Sequence, residues 1–244
     1  MAEEIFVLGK AVRLLQPEGG FRTSLDAILL AASCPALPGE RVLDLGCGVG
    51  GVSFCVAQRI PGLFVRGIDI QADYLDLARK NIDLNKNTGR CEFIDVDVRD
   101  YRIDQPDQRF DHILCNPPFL EAGTYQPSPD QIRAAALGHT HQEITLGDWI
   151  DCAFYNLQSG GSLAMIHRAD QTDKIIQALG RRFGQIEIFP LWPHRDEAAK
   201  RVIIRARKDR RSPAILHAGL VLHKEDGSYT EKADRVLRAG VALF

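Results

Sequence analysis

The chain has 244 residues, of which 45% are hydrophobic and 25% are charged, and its formal net charge is −2 at pH 7. This composition is typical of one sizeable globular domain and excludes a disordered or fibrous protein, while the small net charge gives no whole-molecule signature of a nucleic-acid binder. Residues 27–32, the longest apolar stretch, are too few to cross a bilayer, and the acidic N-terminus differs from a signal peptide. We therefore expect a cytoplasmic protein without a membrane partner.

Cysteine and histidine spacing gives no sign of a metal site. The six cysteines contain no C-x-x-C pair, and most lie in apolar runs, as buried thiols do in a reducing compartment. His139 and His141 stand in a polar stretch without a cysteine or an acidic residue at ligand spacing. We predict neither disulfides nor bound metal.

Residues 1–38 form a segment that precedes the predicted core. Within it, Thr23-Ser-Leu-Asp26 predicts a capping box at the start of an apolar helix over residues 27–32. Pro35 and Pro38 follow, and proline cannot continue a helix in the usual way. This segment therefore contributes one predicted helix.

Strand-like and helix-like stretches alternate through the core, residues 39–207, which indicates an α/β fold with a parallel sheet and crossover helices. The seven predicted strands cover residues 41–45, 64–69, 91–96, 110–115, 162–167, 185–191 and 201–206. The predicted helices cover residues 51–59, 72–85, 146–157 and 171–183. We therefore predict a single domain built around one seven-stranded sheet.

Two stretches lie outside this alternation. In the appendage formed by residues 208–244, Asp226-Gly227 separates two strand-like runs and predicts a short hairpin. Residues 120–143 contain no obvious element, and a loop of that length in a compact domain is usually functional. We interpret it as a lid over the target.

The turn after the first core strand, Asp44-Leu-Gly-Cys-Gly-Val-Gly-Gly51, predicts a nucleotide-type cofactor, because its glycines allow a tight turn and a close approach of the backbone to a ligand. Gly46, Gly48 and Gly51 also spell G-x-G-x-x-G, and Asp69 ends the next strand, as in dinucleotide-binding proteins. The glycines alone therefore leave both NAD and S-adenosylmethionine (SAM) open.

The carboxylates near this turn favour SAM. Asp44 can accept from the methionine ammonium of SAM, whereas it would repel a pyrophosphate. Asp69 can hold two ribose hydroxyls in either cofactor. Asp97, which follows the third strand, can accept from an adenine amino group, with Ile70 and Val98 as apolar contacts. The alternatives are a capped turn at Asp44 and a solvated loop acid at Asp97.

Asn116-Pro117-Pro118-Phe119 follows the fourth core strand and predicts a site for a planar amine or amide. The two prolines stiffen the segment and remove backbone donors. The Asn116 side-chain oxygen and the Pro117 carbonyl can accept both hydrogens of an NH2 group, while Phe119 can stack on the attached ring. The alternative is an ordinary strand end followed by a loop.

A basic run spans residues 195–211, with eight Lys or Arg residues against three acidic ones. Such a run indicates either a phosphate-binding patch or a solvated surface. Within it we name Lys200 and Arg201, together with Arg22 before the core, as candidate substrate contacts.

With these motifs, the chain resembles class I SAM-dependent methyltransferases of the small-domain type, which carry an (N/D)-P-P-(Y/F/W) motif. Within that group it is most similar to the bacterial tRNA-valine adenine-N(6) methyltransferases. The shared features are the pre-core stretch around residues 16–31, the Asn-Pro-Pro-Phe form of the motif and the tail over residues 222–230.

The resemblance implies a Rossmann-like sheet in the order 3-2-1-4-5-7-6, with strand seven antiparallel and helices on both faces. It implies SAM as cofactor and methylation of an exocyclic nitrogen, with adenine N(6) of a tRNA anticodon loop as the expected target. The implied SAM contacts are Asp44, Gly46, Gly48, Asp69 and Asp97, and the implied target-binding residues are Asn116, Pro117 and Phe119.

Four alternatives stay open at this point. Related enzymes methylate the glutamine amide of release factors or guanine amino groups of ribosomal RNA. Both of these enzyme types commonly carry a larger domain before the core than the short pre-core segment of this chain. An NAD-dependent oxidoreductase and a non-catalytic RNA-binding module are the more distant alternatives. The oligomeric state cannot be read from the sequence.

Overall fold

The computed structural model describes residues 2–19, 23–86, 90–118 and 144–244. The predicted lid over residues 120–143, as well as Phe119 and Arg22, lie outside these residues. The strands are β1 (Ala2–Val7), β2 (Val12–Pro17), β3 (Arg41–Leu45), β4 (Phe64–Asp69), β5 (Arg90–Asp95), β6 (Phe110–Cys115), β7 (Leu157–Arg168), β8 (Phe183–Trp192), β9 (Arg201–Lys208), β10 (Ile215–Leu216) and β11 (Leu220–Val221). The helices are α1 (Leu25–Ser33), α2 (Gly51–Arg59), α3 (Ala72–Leu84), α4 (Leu146–Asn156), α5 (Thr172–Leu179) and α6 (Glu231–Ala239).

The central sheet confirms the predicted topology. Its strands follow the order β5-β4-β3-β6-β7-β9-β8, which is 3-2-1-4-5-7-6 when the core strands are numbered along the chain. β9 is antiparallel to both of its neighbours, and the other core strands are parallel. The short strands β10 and β11 pair with β8 and extend this edge of the sheet.

Helices cover both faces of the sheet, as predicted. Alternate residues of β3 point to opposite faces, so Val42 belongs to one apolar cluster and Leu43 to another. The first cluster includes Phe54 of α2, and the second includes Ile150 of α4. Because central strands are buried on both faces, apolar residues are frequent on both sides of each strand. None of the described helices is long and apolar enough to span a bilayer.

Two predicted helix boundaries are wrong. Ser24, not Thr23, caps α1, and its hydroxyl accepts from the backbone N–H of Asp26 at 3.3 Å. Thr23 packs instead against the backbone at Gly51, where a Cβ would lie 2.8 Å from its methyl group. The helix predicted to reach residue 183 ends at Leu179, because Gly180 adopts a φ of 56° and the chain then enters β8.

The pre-core segment also contains an antiparallel hairpin, β1–β2, which the sequence did not reveal. The outer backbone of β2 pairs with side chains of α3 rather than with another strand. The Asn81 amide accepts from the Leu15 N–H at 2.7 Å and donates to the Leu15 carbonyl at 3.1 Å, and Asn85 does the same with Arg13. These bonds fix the hairpin beside the core.

The predicted C-terminal hairpin is confirmed. His223 and Tyr229 form an antiparallel bridge around the Asp226-Gly227 turn. The helix α6 follows it and was not predicted; Thr230 caps α6 by accepting from the Ala233 N–H at 3.2 Å. The Leu243 N–H then donates to the Ala32 carbonyl at 2.9 Å, so the tail packs against α1.

Candidate functional site

The carboxyl ends of β3, β4 and β6 meet at one edge of the sheet, because Leu45 is paired with both Ile68 and Cys115. In doubly wound folds, ligands bind in the crevice at this edge. A cleft opens here between the turn after β3 and the start of α1. Its lining residues are Thr23, Ser24, Ala27, Gly46, Cys47, Gly48, Val49, Gly51, Val52, Tyr74 and Asn116.

Glycine is required in the turn after β3. The N–H groups of Gly46 and Cys47 both donate to the Ile68 carbonyl, at 2.9 and 3.0 Å, which folds the turn tightly over β4. Gly46 and Gly48 have φ values of 68° and 53°, in the left-handed region. A Cβ at Gly46 would also lie 2.9 Å from the Trp149 ring. The turn therefore brings bare backbone to the cleft.

Asp44 lies beneath the cleft rather than in its lining. Its side chain is buried and accepts a hydrogen bond from the Ser53 hydroxyl at 2.6 Å. Burial raises the pKa of the Asp44 carboxyl to about 7, and the Ser53 hydrogen bonds only partly oppose this effect. In this arrangement Asp44 ties β3 to α2, and a direct contact with a cofactor ammonium stays a prediction.

Asp69 supports the glycine turn. One carboxylate oxygen accepts from the Gly48 N–H at 2.8 Å, and the other accepts from the Gln71 N–H at 2.9 Å. Its position at the end of β4 suits the predicted ribose contact, which stays a prediction. The next residue, Ile70, has an apolar side chain that is 47% exposed, and its predicted contact with a cofactor stays a prediction.

Asp97 is paired with Arg99. The Asp97 carboxylate accepts from the Arg99 backbone N–H at 2.8 Å and from its guanidinium at 2.6 Å. An adenine amino group would therefore share this carboxylate with Arg99. Val98 is buried with Ile103 and Trp149, so its side chain faces the core. Of the two apolar contacts predicted here, only Ile70 is exposed.

Asn116 lines the cleft and carries a buried acceptor. Its Oδ1 atom is buried and has no hydrogen-bond donor among the residues that the structure describes. A buried acceptor without a partner costs about 1–3 kcal/mol, so such atoms are rare unless a ligand or water satisfies them. Pro117 is buried and Pro118 is exposed. The structure thus places a free acceptor in the cleft, beside the glycine turn.

Sequence reasoning missed the polar side chains of Thr23, Ser24 and Tyr74 in the cleft lining. Thr23 and Ser24 were interpreted only as helix-capping residues, and Tyr74 fell within a predicted helix without a site role. The nearness of Tyr74 to Gly48, where a Cβ would lie 3.8 Å from the ring, depends on how α3 returns to the sheet. Local sequence does not contain that information.

The basic run does not form one patch. Arg201 pairs with Asp26, and Arg205 pairs with Glu187 at 2.7 Å. Lys208 is buried and donates to the carbonyls of Phe154 and Leu157, at the C-terminus of α4. Lys200 is exposed. The middle of the run forms β9, which lies between two other strands, so its side chains point to both faces and both ends of the sheet.

Residues 22–190 match the family model of the methyltransferase small domain. This match covers the glycine turn, Asp69, Asp97 and Asn116. No group of three or more metal-binding side chains occurs in the described part of the chain.

Curated relatives include two kinds of methyltransferase. The chain is 30% identical to the tRNA1(Val) (adenine(37)-N6)-methyltransferase of Vibrio campbellii over 119 residues, about half of each chain (49% and 48%). It is 27% identical to the enzyme of the same name from Shewanella sp. strain MR-4 over 224 residues, covering 87% and 89%. The release factor glutamine methyltransferase of Chlorobaculum tepidum is 26% identical over 170 residues, covering 66% of this chain and 56% of that one.

A solved structure supports the same fold over nearly the whole length. The crystal structure of a predicted O-methyltransferase from Agrobacterium tumefaciens has a TM-score of 0.72 and 28% identity. The alignment covers 90% of this chain and 98% of that one.

Proposed function

We propose that this chain, which belongs to the methyltransferase small-domain family and is a SAM-dependent N-methyltransferase, methylates the exocyclic amino group of an adenine in tRNA. The observation that carries the proposal is the buried Asn116 Oδ1 atom, which lacks a donor among the described residues and belongs to a residue that lines the cleft beside the glycine turn. An adenine amino group supplies such a donor. We propose that the reaction takes place in the cytoplasm.

The cleft suits SAM as cofactor, because backbone without side chains at Gly46 and Gly48 leaves room for close approach. We propose that these glycines contact the methionine part of SAM and that Asp69 and Asp97 hold the ribose and the adenine. Ile70 adds an exposed apolar surface beside them. When bound, SAM supplies a methyl group on a positively charged sulfonium.

Asn116 and Pro117 act by positioning the target. The Asn116 Oδ1 atom and the Pro117 carbonyl accept the two amino hydrogens, which turns the nitrogen lone pair towards the methyl group. Positioning of this kind supplies much of the barrier reduction in a two-substrate reaction. A strong base is not needed, because the nitrogen becomes acidic as it gains the methyl group and releases one proton to solvent or to these acceptors. The target base must leave its stack, and Phe119 provides the proposed replacement surface.

The second candidate target is a glutamine side-chain amide, because its NH2 group fits the same two acceptors. The alignment with the Chlorobaculum glutamine methyltransferase covers 66% of this chain, whereas the alignment with the Shewanella tRNA enzyme covers 87%. This difference favours the adenine target.

Methyl transfer from labelled SAM tests the proposal directly. Total RNA and a purified release factor are offered separately, and the modified nucleoside or peptide is identified by mass spectrometry. We expect label in tRNA as N(6)-methyladenosine; label only in the release factor would move the target to glutamine.

Asn116→Ala provides the site control. It should lower the turnover rate by about 100-fold or more, as loss of a transition-state hydrogen-bonding group does. The SAM dissociation constant, measured by calorimetry, should stay within about twofold. Near-wild-type turnover of this variant would refute the role of Asn116. Binding of NAD instead of SAM in the same calorimetric measurement would refute the cofactor assignment.

A further inference from the structure

The net positive charge of the basic run lies at the sheet edge opposite the cleft. β9 is antiparallel to β7, so Arg201 pairs with Arg168 at the carboxyl edge, whereas Arg207 pairs with Ser162 towards the amino edge. At about 3.3 Å per residue, these two arginines are about 20 Å apart along the strand. The two ends of the run therefore belong to different surfaces.

Charge is balanced at the carboxyl edge and unbalanced at the amino edge. The cations Arg195, Lys200 and Arg201 are matched by Asp196 and Glu197 in sequence and by Asp26, the partner of Arg201. The cations at the other end are Arg207, Lys208, Arg210 and Arg211, and Asp209 is the acid among them. The net positive charge of the run is thus concentrated away from the cleft.

The amino-edge arginines converge on one turn. The Arg207 guanidinium donates to the Gly160 carbonyl at 3.1 Å. A Cβ on Gly160 would lie 2.8 Å from the Arg210 guanidinium, so Arg210 reaches the same turn. The Asp209 N–H donates to the Arg182 carbonyl at 3.0 Å, which brings the loop before β8 alongside. These contacts bring Arg207 and Arg210 together at one turn and place the backbone of Arg182 beside them.

Most of these cations have no acidic partner. Arg182 pairs with Asp151 at 2.8 Å, and the buried Lys208 donates hydrogen bonds to two carbonyls at the C-terminus of α4. Among the residues that the structure describes, no carboxylate pairs with Arg207, Arg210 or Arg211. Arg210 and Arg211 are exposed. Unpaired arginines on one surface favour an anionic ligand, since the guanidinium fork binds phosphate oxygens in pairs.

We propose that Arg207 and Arg210, which meet at Gly160, and the exposed neighbouring residue Arg211 form an amino-edge surface that binds backbone phosphates of the RNA substrate. The identity of the polyanion rests on the proposed function, whereas the surface itself rests on charge and geometry. An RNA that contacts both the cleft and this surface must extend at least about 20 Å, or about six duplex steps at about 3.4 Å each. The RNA substrate must therefore be long enough to reach both the cleft and this surface.

Reversal of two exposed charges tests the proposal. In Arg210→Glu/Arg211→Glu, the dissociation constant for unmodified, fluorescently labelled tRNA is measured across a salt series without SAM. Loss of about two phosphate contacts should lower the salt slope by about 1.5 and weaken binding by about 10- to 40-fold near 0.1 M salt. Lys224→Glu/Lys232→Glu, which changes the charge equally at exposed positions of the tail, is the control and should lower affinity much less.

Unchanged affinity and slope in the Arg210/Arg211 variant would overturn the proposal, as would an equal loss in the control. The variant should still methylate a free hairpin oligonucleotide at the wild-type maximal rate, because the cleft is unaltered. If the variant loses tRNA binding as expected but the wild-type protein methylates no RNA, the proposed function fails and the amino-edge surface stands.

Discussion

The Arg201 guanidinium lies 3.2 Å from the Asp26 carboxylate, joining two residues that are 175 positions apart in sequence. Asp26 belongs to the first turn of α1, directly after Ser24, which caps the helix and lines the cleft. Arg201 begins β9 at the carboxyl edge of the sheet. The ion pair therefore fixes the cleft wall that the pre-core segment contributes. The Asp26 side chain of this ion pair is nearly buried, with 10% of its surface exposed.

Arg201→Ala should destabilise the protein and loosen that wall. Removal of the guanidinium leaves a largely buried carboxylate without this partner, which costs about 1–3 kcal/mol in the free energy of unfolding. We expect a several-fold rise in the SAM dissociation constant as well. Denaturant titration and calorimetry measure the two effects.

The matched control is Lys200→Ala, at the exposed neighbouring residue, which should change neither quantity. Asp26→Asn/Arg201→Ala should recover part of the lost stability, because no charge is then left buried. A stable Arg201→Ala variant that loses only RNA binding would contradict this role and support the direct substrate contact that the sequence suggested.

Gly46→Ala should prevent SAM binding. The substitution strains a residue whose φ is 68° and places a methyl group 2.9 Å from the Trp149 ring. We expect SAM affinity to fall by more than about tenfold, with a loss of about 1–3 kcal/mol of stability.

Gly39→Ala separates backbone strain from cleft geometry. Gly39 has a φ of 91°, but no atom lies within 4 Å of the position of an added Cβ, and it lies outside the cleft lining. This variant should lose about 1 kcal/mol of stability and keep its SAM affinity. Equal SAM binding by the two variants would show that the turn after β3 is not part of the cofactor site.

Asn81→Ala should release β2 from α3. Asn81 is fully buried, and its amide also donates to the Val49 carbonyl, beside the glycine turn. Loss of these hydrogen bonds leaves the Leu15 N–H and carbonyl without their partner, at a cost of about 2–3 kcal/mol. Hydrogen exchange at the Leu15 amide should accelerate strongly. The control is Lys80→Ala, at an exposed position of the same helix, and the same rate in both variants would contradict the role of Asn81.

The sequence predicted the core strands better than the segments around them, for a physical reason. β3, β4 and β6 begin and end where predicted, because each is rich in the apolar residues that a parallel strand buried on both faces requires. The hairpin β1–β2 leaves a weaker trace, since part of its backbone pairs with the side chains of Asn81 and Asn85. Those asparagines are about 70 residues away in sequence.

The candidate site was also predicted only in part. Gly46, Gly48 and Asn116 could be grouped from sequence, because parallel strands bring their carboxyl ends to one edge. The burial of Asp44 against Ser53 depends on how α2 packs and could not be read from the motif. The basic run misled for a related reason, since a strand inside the sheet sends neighbouring side chains to opposite faces.

Asp44 should make the stability of the protein depend on pH. Burial raises the pKa of its carboxyl from the usual 3.8 to about 7. Between these values the unfolded chain has lost this proton and the folded protein retains it, so the folded state binds more protons. The contribution of Asp44 to the free energy of unfolding therefore falls as the pH rises through this window, by about 1.4 kcal/mol per pH unit.

Asp44→Asn removes this titration and retains an acceptor for the Ser53 hydroxyl. Relative to wild type, the variant should gain about 2 kcal/mol of unfolding free energy between pH 5 and pH 7, as measured by urea denaturation at the two values. Asp73→Asn, at an exposed carboxylate in the first turn of α3, controls for the loss of one acidic group. The wild-type protein and the Asp44→Asn variant are compared over this range. If they lose stability in parallel, the buried carboxyl is already ionised at pH 5.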